Sequence, residues 1–202
     1  MTSYTINRAM PDDAEVIMQL METSRRTMQE NGNPYQWPVG YPSREVIDDD
    51  LQHGDCYLVC NAGGKVVGSF VLRQGPDPSY GHIYEGKWLD DSMPYYVIHR
   101  VTSLPAAHGV FSAIVSYCIQ HSDNLRIDTH RDNHIMRHLV EKYGFTYCGI
   151  IHLTRVRDNI LKSKEQKTIQ PTKGGHKMVT YQNYVSLFYC QITSCPSDGG
   201  IS

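Results

Sequence analysis

Residues 95–153 alternate strand, helix, strand, helix, strand, and that order limits the fold more than any other stretch of the chain. "YYVIHRVTSL" (95–104) is rich in β-branched and aromatic residues and predicts a strand. After a short turn, "GVFSAIVSYCIQHS" (109–122) sets Val110, Ile114, Val115, Cys118 and Ile119 along one side of a helix. "NLRIDTH" (124–130) alternates, with Leu125, Ile127 and Thr129 on one face and Arg126, Asp128 and His130 on the other. Asp132 then caps a helix whose apolar face is Ile135, Met136, Leu139, Val140 and Tyr143. Gly144 closes it, and Phe145 is placed to pack back onto its last turn. "TYCGIIHL" (146–153) is the next strand. Two strand–helix crossovers in succession demand a sheet with helices lying over it.

The chain before residue 95 supplies the antiparallel part. "SYTINRAM" (3–10) suits a short strand. In residues 11–32, Asp12 is a helix cap with Glu15 placed to reach back to it. Val16, Ile17, Leu20, Met21, Ser24 and Met28 share the inward face, and Gly32 ends the helix. "NPYQWPVGYP" (33–42) is a loop with three prolines and exposed aromatics, and Ser43 caps a short helix over 44–54. "DCYLVC", "NAGG" and "KVVGSFVLRQ" form a hairpin, "GPDPSYG" is a turn, and "HIYEGKWL" (82–89) reads as a further strand. The expected order puts strands paired by tight turns first and two strand–helix crossovers after them. It describes an α/β (α+β) fold with a mixed, mostly antiparallel central sheet covered by helices on both faces.

Two hundred and two residues suffice for one domain with a core, or one domain and an appendage. A net charge of −2 gives no pull toward nucleic acid or anionic membrane. No apolar run approaches the ~18 residues of a membrane span. The first thirty residues carry Arg8, Asp12, Asp13, Glu15 and Glu22 with no apolar block, so a signal peptide is not expected and a cytoplasmic location is. Six cysteines are scattered at 56, 60, 118, 148, 190 and 195, mostly within apolar runs, which reads as buried thiols. From 155 to 177 seven Lys or Arg stand against Asp158 and Glu165, in a stretch with almost nothing to bury. It lacks the interleaved aromatics of a nucleic-acid surface. "KMVTYQNYVSLFYCQI" (177–192) is apolar enough for a last strand. The division is therefore 1–154 as the main domain, and 155–202 as basic insertion, last strand and C-terminal tail.

The element order and the block from about 96 to 153 resemble the GNAT superfamily of acyl-CoA-dependent N-acetyltransferases. "RIDTHRDN" through "YGFTYCGI" carries the likeness, and the family's N…L…K-x-G-F signature matches Asn133, Leu139, Lys142, Gly144 and Phe145. The resemblance implies direct transfer of an acetyl group from acetyl-CoA to a primary amine of a small molecule or peptide. It implies no membrane or nucleic-acid partner, and a homodimer is left open. The rival reading is a weakened module of the same fold that binds acyl-CoA or a protein partner without turnover.

The family's phosphate loop reads Q/R-x-x-G-x-G/A, and here the aligned residues are Ala106, Ala107, His108, Gly109, Val110 and Phe111. Only the middle glycine is kept. Its function rests on backbone amides at a helix opening, which do not depend on side-chain identity. Ala107, His108, Gly109, Val110, Phe111 and Ser112 are therefore the expected pyrophosphate contacts. Phe111 either points away from them or occupies their space. Val101, Thr102 and Ser103 map onto the strand end that polarises the thioester carbonyl, and Asn133 onto the contact with the cofactor arm. Asn133 serves equally well as a helix-start residue.

Acetyl transfer also needs a base, because an alkyl ammonium titrates near ~10.4. His99 is one candidate, with an ordinary structural histidine as the alternative. Asp128 and His130 share a strand face and are a second, unless Asp128 only holds His130 or Arg131. The family's proton-donating tyrosine falls at Val140, which cannot donate, and Tyr143 reads as core packing. Tyr35, Trp37 and Tyr41 either line the acceptor pocket or pack its loop down. His130, His134 and His138 fall at four-residue spacing, but no carboxylate or cysteine completes a metal set, so none is expected.

Overall fold

The computed structural model describes residues 3–153 and 185–193, with 152–153 and 185–193 described as backbone. The basic stretch 155–177 and the tail after 193 lie outside the described residues. Seven strands form one sheet in the order β1-β2-β3-β4-β5-β7-β6. They are β1 (Tyr4–Arg8), β2 (Cys56–Asn61), β3 (Val66–Gln74), β4 (Tyr96–Ser103), β5 (Asn124–His130), β6 (Thr146–Leu153) and β7 (Val185–Thr193). Only β4 and β5 pair in parallel; every other neighbour is antiparallel. The sheet is thus mixed and mostly antiparallel, as its crossovers and hairpins require.

Helices α1 (Ala14–Glu30) and α2 (Arg44–His53) cover one face. Ile17, Met21, Ile47 and Leu51 bury themselves there against Leu58 and Val71. Helices α3 (Val110–Cys118) and α4 (His134–Lys142) cover the other, where Ile114, Val115 and Val140 meet Phe70, Ile98, Leu125 and Ile127. Cys56, Cys60, Cys118 and Cys148 are buried, and burial pushes Cys56 and Cys118 up to about 12. None of the described helices is long and apolar enough to cross a membrane.

Three local expectations change. A single 3-10 turn, Pro11–Asp13, precedes α1, and the Met10 N–H donates to Asp13 Oδ2 at 2.7 Å, so Asp12 and Glu15 make no capping box. Asn133, not Asp132, caps α4: its Oδ1 accepts from the Met136 N–H at 3.0 Å. Residues 82–89 are not a strand. They contribute one bridge, Tyr84 to Ile150, within an irregular segment between β3 and β4. Burying Tyr80 and Trp88 against Val97, Cys148 and Ile151 replaces ladder pairing as the force that seats the segment on the sheet.

β7 enters between β5 and β6, antiparallel to both, with registers such as Ile127↔Cys190 and Ile151↔Leu187. The segment after the basic stretch thereby completes the sheet.

Candidate active site

The parallel pairing of β4 with β5 runs from Tyr96↔Leu125 to Ile98↔Ile127 and stops. Beyond that point the two strands part. The β3–β4 ladder also slips there: Val71 pairs with His99 and Ser69 with Thr102, so Arg100 and Val101 form a bulge with no register partners. Arg100 takes φ +49°, a left-handed conformation uncommon outside glycine, asparagine and aspartate. The ladder resumes where Thr102 Oγ1 accepts from the Ser69 N–H at 2.9 Å and shares a 2.8 Å hydrogen bond with Ser69 Oγ.

A cleft of about 120 Å³ opens beside the parting. Its walls come from α1 (Ser24, Thr27, Met28), the β4 end (Val101, Thr102, Ser103), the α3 start (Val110, Phe111) and the α4 start (Asn133, Met136, Leu139). Gly109 caps α3 at φ +84°, and a Cβ there would meet nothing within 4 Å. The helix opening is therefore clear. The first-turn N–H groups of Val110, Phe111 and Ser112 have no acceptor among the described residues, and the helix dipole adds partial positive charge to them. The Phe111 ring is buried in the core, edge-on to Tyr143 at 5.6 Å, where it forms cleft wall. Tyr143 is core packing, as its spacing indicates. The Ala107 N–H is committed to Leu104 O at 2.9 Å, and Tyr4 Oη donates to His108 O at 2.8 Å, tying the loop to β1. Unpaired amides at a helix start can bind an anion.

At the other end of the cleft, Gln36 Oε1 accepts from both Asn33 Nδ2 and Asn133 Nδ2, each at 2.8 Å. This joins the α1–α2 loop to the α4 cap. Asn33 Oδ1 is buried without a partner, and no spacing or motif singles Asn33 out in the sequence.

On the α1–α2 side of the sheet, His99 and Asp128 are the first residues beyond the last parallel pair. His99 Nδ1 lies 3.4 Å from Asp128 Oδ1, and His99 Nε2 lies 3.2 Å from Asp77 Oδ2. Tyr80 Oη donates to Asp128 Oδ1 at 2.9 Å, and the Ser79 N–H to Asp77 Oδ1 at 2.8 Å. Asp128 Oδ2 accepts no hydrogen bond among the described residues. Burial alone would lower the His99 pKa, but its hydrogen bonds with Asp128 and Asp77 outweigh burial and raise it. Burial works against the Asp77 charge as well, yet hydrogen bonding from His99 and from Ser79 pulls that carboxyl down to about 2. A carboxylate beside each ring nitrogen shifts the ring toward its protonated form. Among the described residues no group of three His, Cys, Asp or Glu is arranged to hold a metal ion.

His99 and Asp128, separate candidates in the sequence, are thus brought together. Asp77 and Tyr80 were missed, because they come from the irregular segment and no spacing relates them to His99. His130 is buried; its Nδ1 accepts from the Asp132 N–H at 3.2 Å, a local helix-start bond. Trp37 is buried among the α1 and α2 side chains, so it packs the loop down instead of lining the cleft. Tyr41 is half-buried and turns to the Arg100 guanidinium, while Tyr35 stands exposed on the loop. Val140 is buried in the core.

No protein-family model matches this sequence, and no curated protein does. Solved structures do. A GNAT-family acetyltransferase structure from Streptococcus agalactiae is 24% identical, with 96% of each chain covered and a TM-score of 0.74. One from Listeria monocytogenes is 15% identical, with 94% of each covered and a TM-score of 0.60. A Bacillus cereus structure described as an IAA acetyltransferase is 15% identical over 95% of this chain and 99% of its own, with a TM-score of 0.52. This chain has the fold of the GNAT-family acetyltransferases over nearly its whole length.

Proposed function

We propose that the protein is an N-acetyltransferase that takes acetyl-CoA as donor and a primary amine of a small molecule or peptide as acceptor. The observation that carries the reading is the Asp77–His99–Asp128 cluster at the parting of β4 and β5, with His99 two residues before Val101 of a cleft that the open start of α3 also lines. Acetyl-CoA, when bound, supplies an acyl carbon activated as a thioester. The free amides of Val110, Phe111 and Ser112 hold its pyrophosphate. Asn33 and Asn133 would hold the amide-bearing arm, and the Val101 backbone in the bulge would serve the acyl oxygen. Ala106 leaves the loop without the side-chain donor the family carries there, so the grip rests on main chain alone.

The acceptor arrives as an ammonium and docks on the unpartnered Asp128 Oδ2. It can lose its proton only when the cluster has room for one. His99 must first be neutral, whereupon the ammonium N–H bond breaks and the proton settles on the Asp128–His99 pair. Activity then rises with pH as His99 gives up its proton, through an apparent pKa above the ~6.5 of a free imidazole. Val140 gives the departing thiolate no donor, so water fills that role.

The test is thiol release from acetyl-CoA across a panel of primary amines between pH 6 and 9. Turnover should appear, and His99→Gln and Asp128→Asn should each cut it about 10²-fold or more. A pH profile unchanged by His99→Gln removes the cluster as base. Acetyl-CoA binding with no thiol release from any amine favours the weakened binding module, for which the reduced loop pattern and Val140 speak.

A further inference from the structure

The bulge in β4 is held from outside its own sheet. Arg100 Nη2 lies 2.5 Å from Asp50 Oδ1, and Asp50, on α2, has only 1% of its side chain exposed. Arg73 Nη2 reaches the same oxygen at 3.2 Å while its Nε binds Asp55 Oδ2 at 2.7 Å. The Tyr41 hydroxyl also meets the Arg100 guanidinium. Asp50 Oδ2 and Arg100 Nε remain buried without partners, so the pair forgoes hydrogen bonds that a relaxed packing would make. Arg100 itself sits at φ +49°, where glycine would be easier. A buried carboxylate, a guanidinium with an unsatisfied nitrogen and a left-handed arginine are three unfavourable features at one point of one strand. Strain of this kind persists where surrounding structure over-determines it. The residue it controls is the next one, Val101, which lines the cleft and has no partner in the β3 register.

We infer that Arg100, pulled toward α2 by Asp50, is a positioning residue that sets the direction of the Val101 backbone N–H. This rests on the reading of Val101 as the group nearest the acyl oxygen. Thr102, pinned to Ser69, fixes the strand just after the bulge; the Arg100–Asp50 pair fixes the first residue of the bulge itself. Between those two anchors the peptide joining Arg100 to Val101 has one orientation. Without the arginine the bulge relaxes into ordinary extended backbone and the amide turns off its target. The pair then matters for the thioester and not for the remainder of the donor, which the α3 opening and Asn133 hold.

The test compares acetyl-CoA with CoA, which lacks the acyl oxygen, on the wild-type chain and on Arg100→Gly and Asp50→Asn. In the wild type the Val101 amide resonance should move further with acetyl-CoA than with CoA. In both variants it should move equally with the two, while calorimetric affinity for CoA stays within about twofold of wild type. Turnover should fall about tenfold to hundredfold in kcat, below the loss seen on deleting an oxyanion donor outright, with KM for acetyl-CoA little changed. Arg100→Gly should melt below the wild type, because it leaves the buried Asp50 carboxylate with Arg73 as its remaining close partner. Should either variant fail to fold, Arg100→Lys carries the same readings: it keeps a charge for Asp50 without the fork, and an intermediate kcat is expected. Variants that retain wild-type kcat, or whose Val101 amide still tells acetyl-CoA from CoA, overturn this inference alone. A wild-type chain that binds neither compound overturns the functional reading and this inference with it.

Discussion

Two glycines separate conformational demand from steric demand. Gly109 needs φ +84°, but a Cβ there meets nothing within 4 Å. Gly109→Ala should therefore cost only the left-handed backbone, about 1–2 kcal/mol, and leave the fold intact. Gly68 has no unusual φ, but its Cβ would stand 2.6 Å from Thr102 O and 3.0 Å from Val110 Cγ1. The carbonyl is backbone and cannot swing aside, so Gly68→Ala must push β4 and α3 off β3 and should cost as much or more, about 1–3 kcal/mol. Urea melts of the two variants give the ordering, and a Gly68→Ala protein as stable as wild type would contradict it. The sequence marks Gly109, because a lone glycine between a strand and a helical pattern has few other uses. It is silent on Gly68, whose constraint comes from a strand thirty-odd residues away. Phe111 was ambiguous for a related reason. Helical spacing gives the side of the helix but not whether the neighbouring helix is close enough to take the ring, and Tyr143 of the α4 end is.

At the scale of elements, periodicity served where one face is buried and the other wet, and failed where no ladder organises the chain. All four helices and the strands on either side of them were legible on that ground. The segment between β3 and β4 was not, because aromatic residues that favour strands also favour burial without pairing. What holds it is Arg126, 1% exposed, whose guanidinium lies 4.0 Å from the Trp88 ring centroid and 3.7 Å from that of Tyr95. Its Nη2 also donates to Asp90 O at 3.0 Å and Asp91 Oδ1 at 2.9 Å. Nothing in the sequence couples Arg126 to residues 88–95, so the element that delivers Asp77 to His99 could not be foreseen. The coupling is measurable. Asp77→Asn removes one of the two carboxylates raising the His99 pKa, so that pKa should fall toward ~6.5, followed through the His99 ring protons. The linkage has a definite sign. Because the folded pKa is the higher one, the stabilisation is full below ~6.5 and is lost as pH rises through the folded value. Asp77, held at about 2, contributes in the opposite direction: its share is present above ~3.9 and is lost as pH falls toward about 2. A His99 that titrates identically in wild type and Asp77→Asn would break the link between the segment and the cluster.

For the whole molecule, the crossovers fixed a mixed sheet but not its completion. The β5–α4–β6 connection is a crossover in which the two parallel strands are not neighbours. It leaves a slot one strand wide, and β7 fills it antiparallel to both sides, with registers running from Asn124↔Thr193 to His130↔Leu187 on β5 and from Thr146↔Gln191 to Leu153↔Val185 on β6. In the sequence this strand is a short apolar run beyond a long basic stretch, and no local signal says that it returns to the middle of the sheet instead of its edge. Its position makes it structural for the site, because β5 carries Asp128 and is paired to β4 by only three register positions. The β7 ladder is the longer of the two that hold Asp128 in place. Ending the chain before Val185 strips both ladders at once, exposes two strand edges, and leaves β6 held by α4, the Tyr84–Ile150 bridge and the packing of Cys148 and Ile151 against Tyr80, Trp88 and Val97. The truncated chain should lose a single cooperative thermal transition and should bind a hydrophobic dye, in contrast to the full chain. If it instead melts in one step near the full chain's midpoint, β7 is dispensable. The rigidity of Asp128 would then have to come from the parallel pairing and from the hydrogen bonds of Tyr80 and His99.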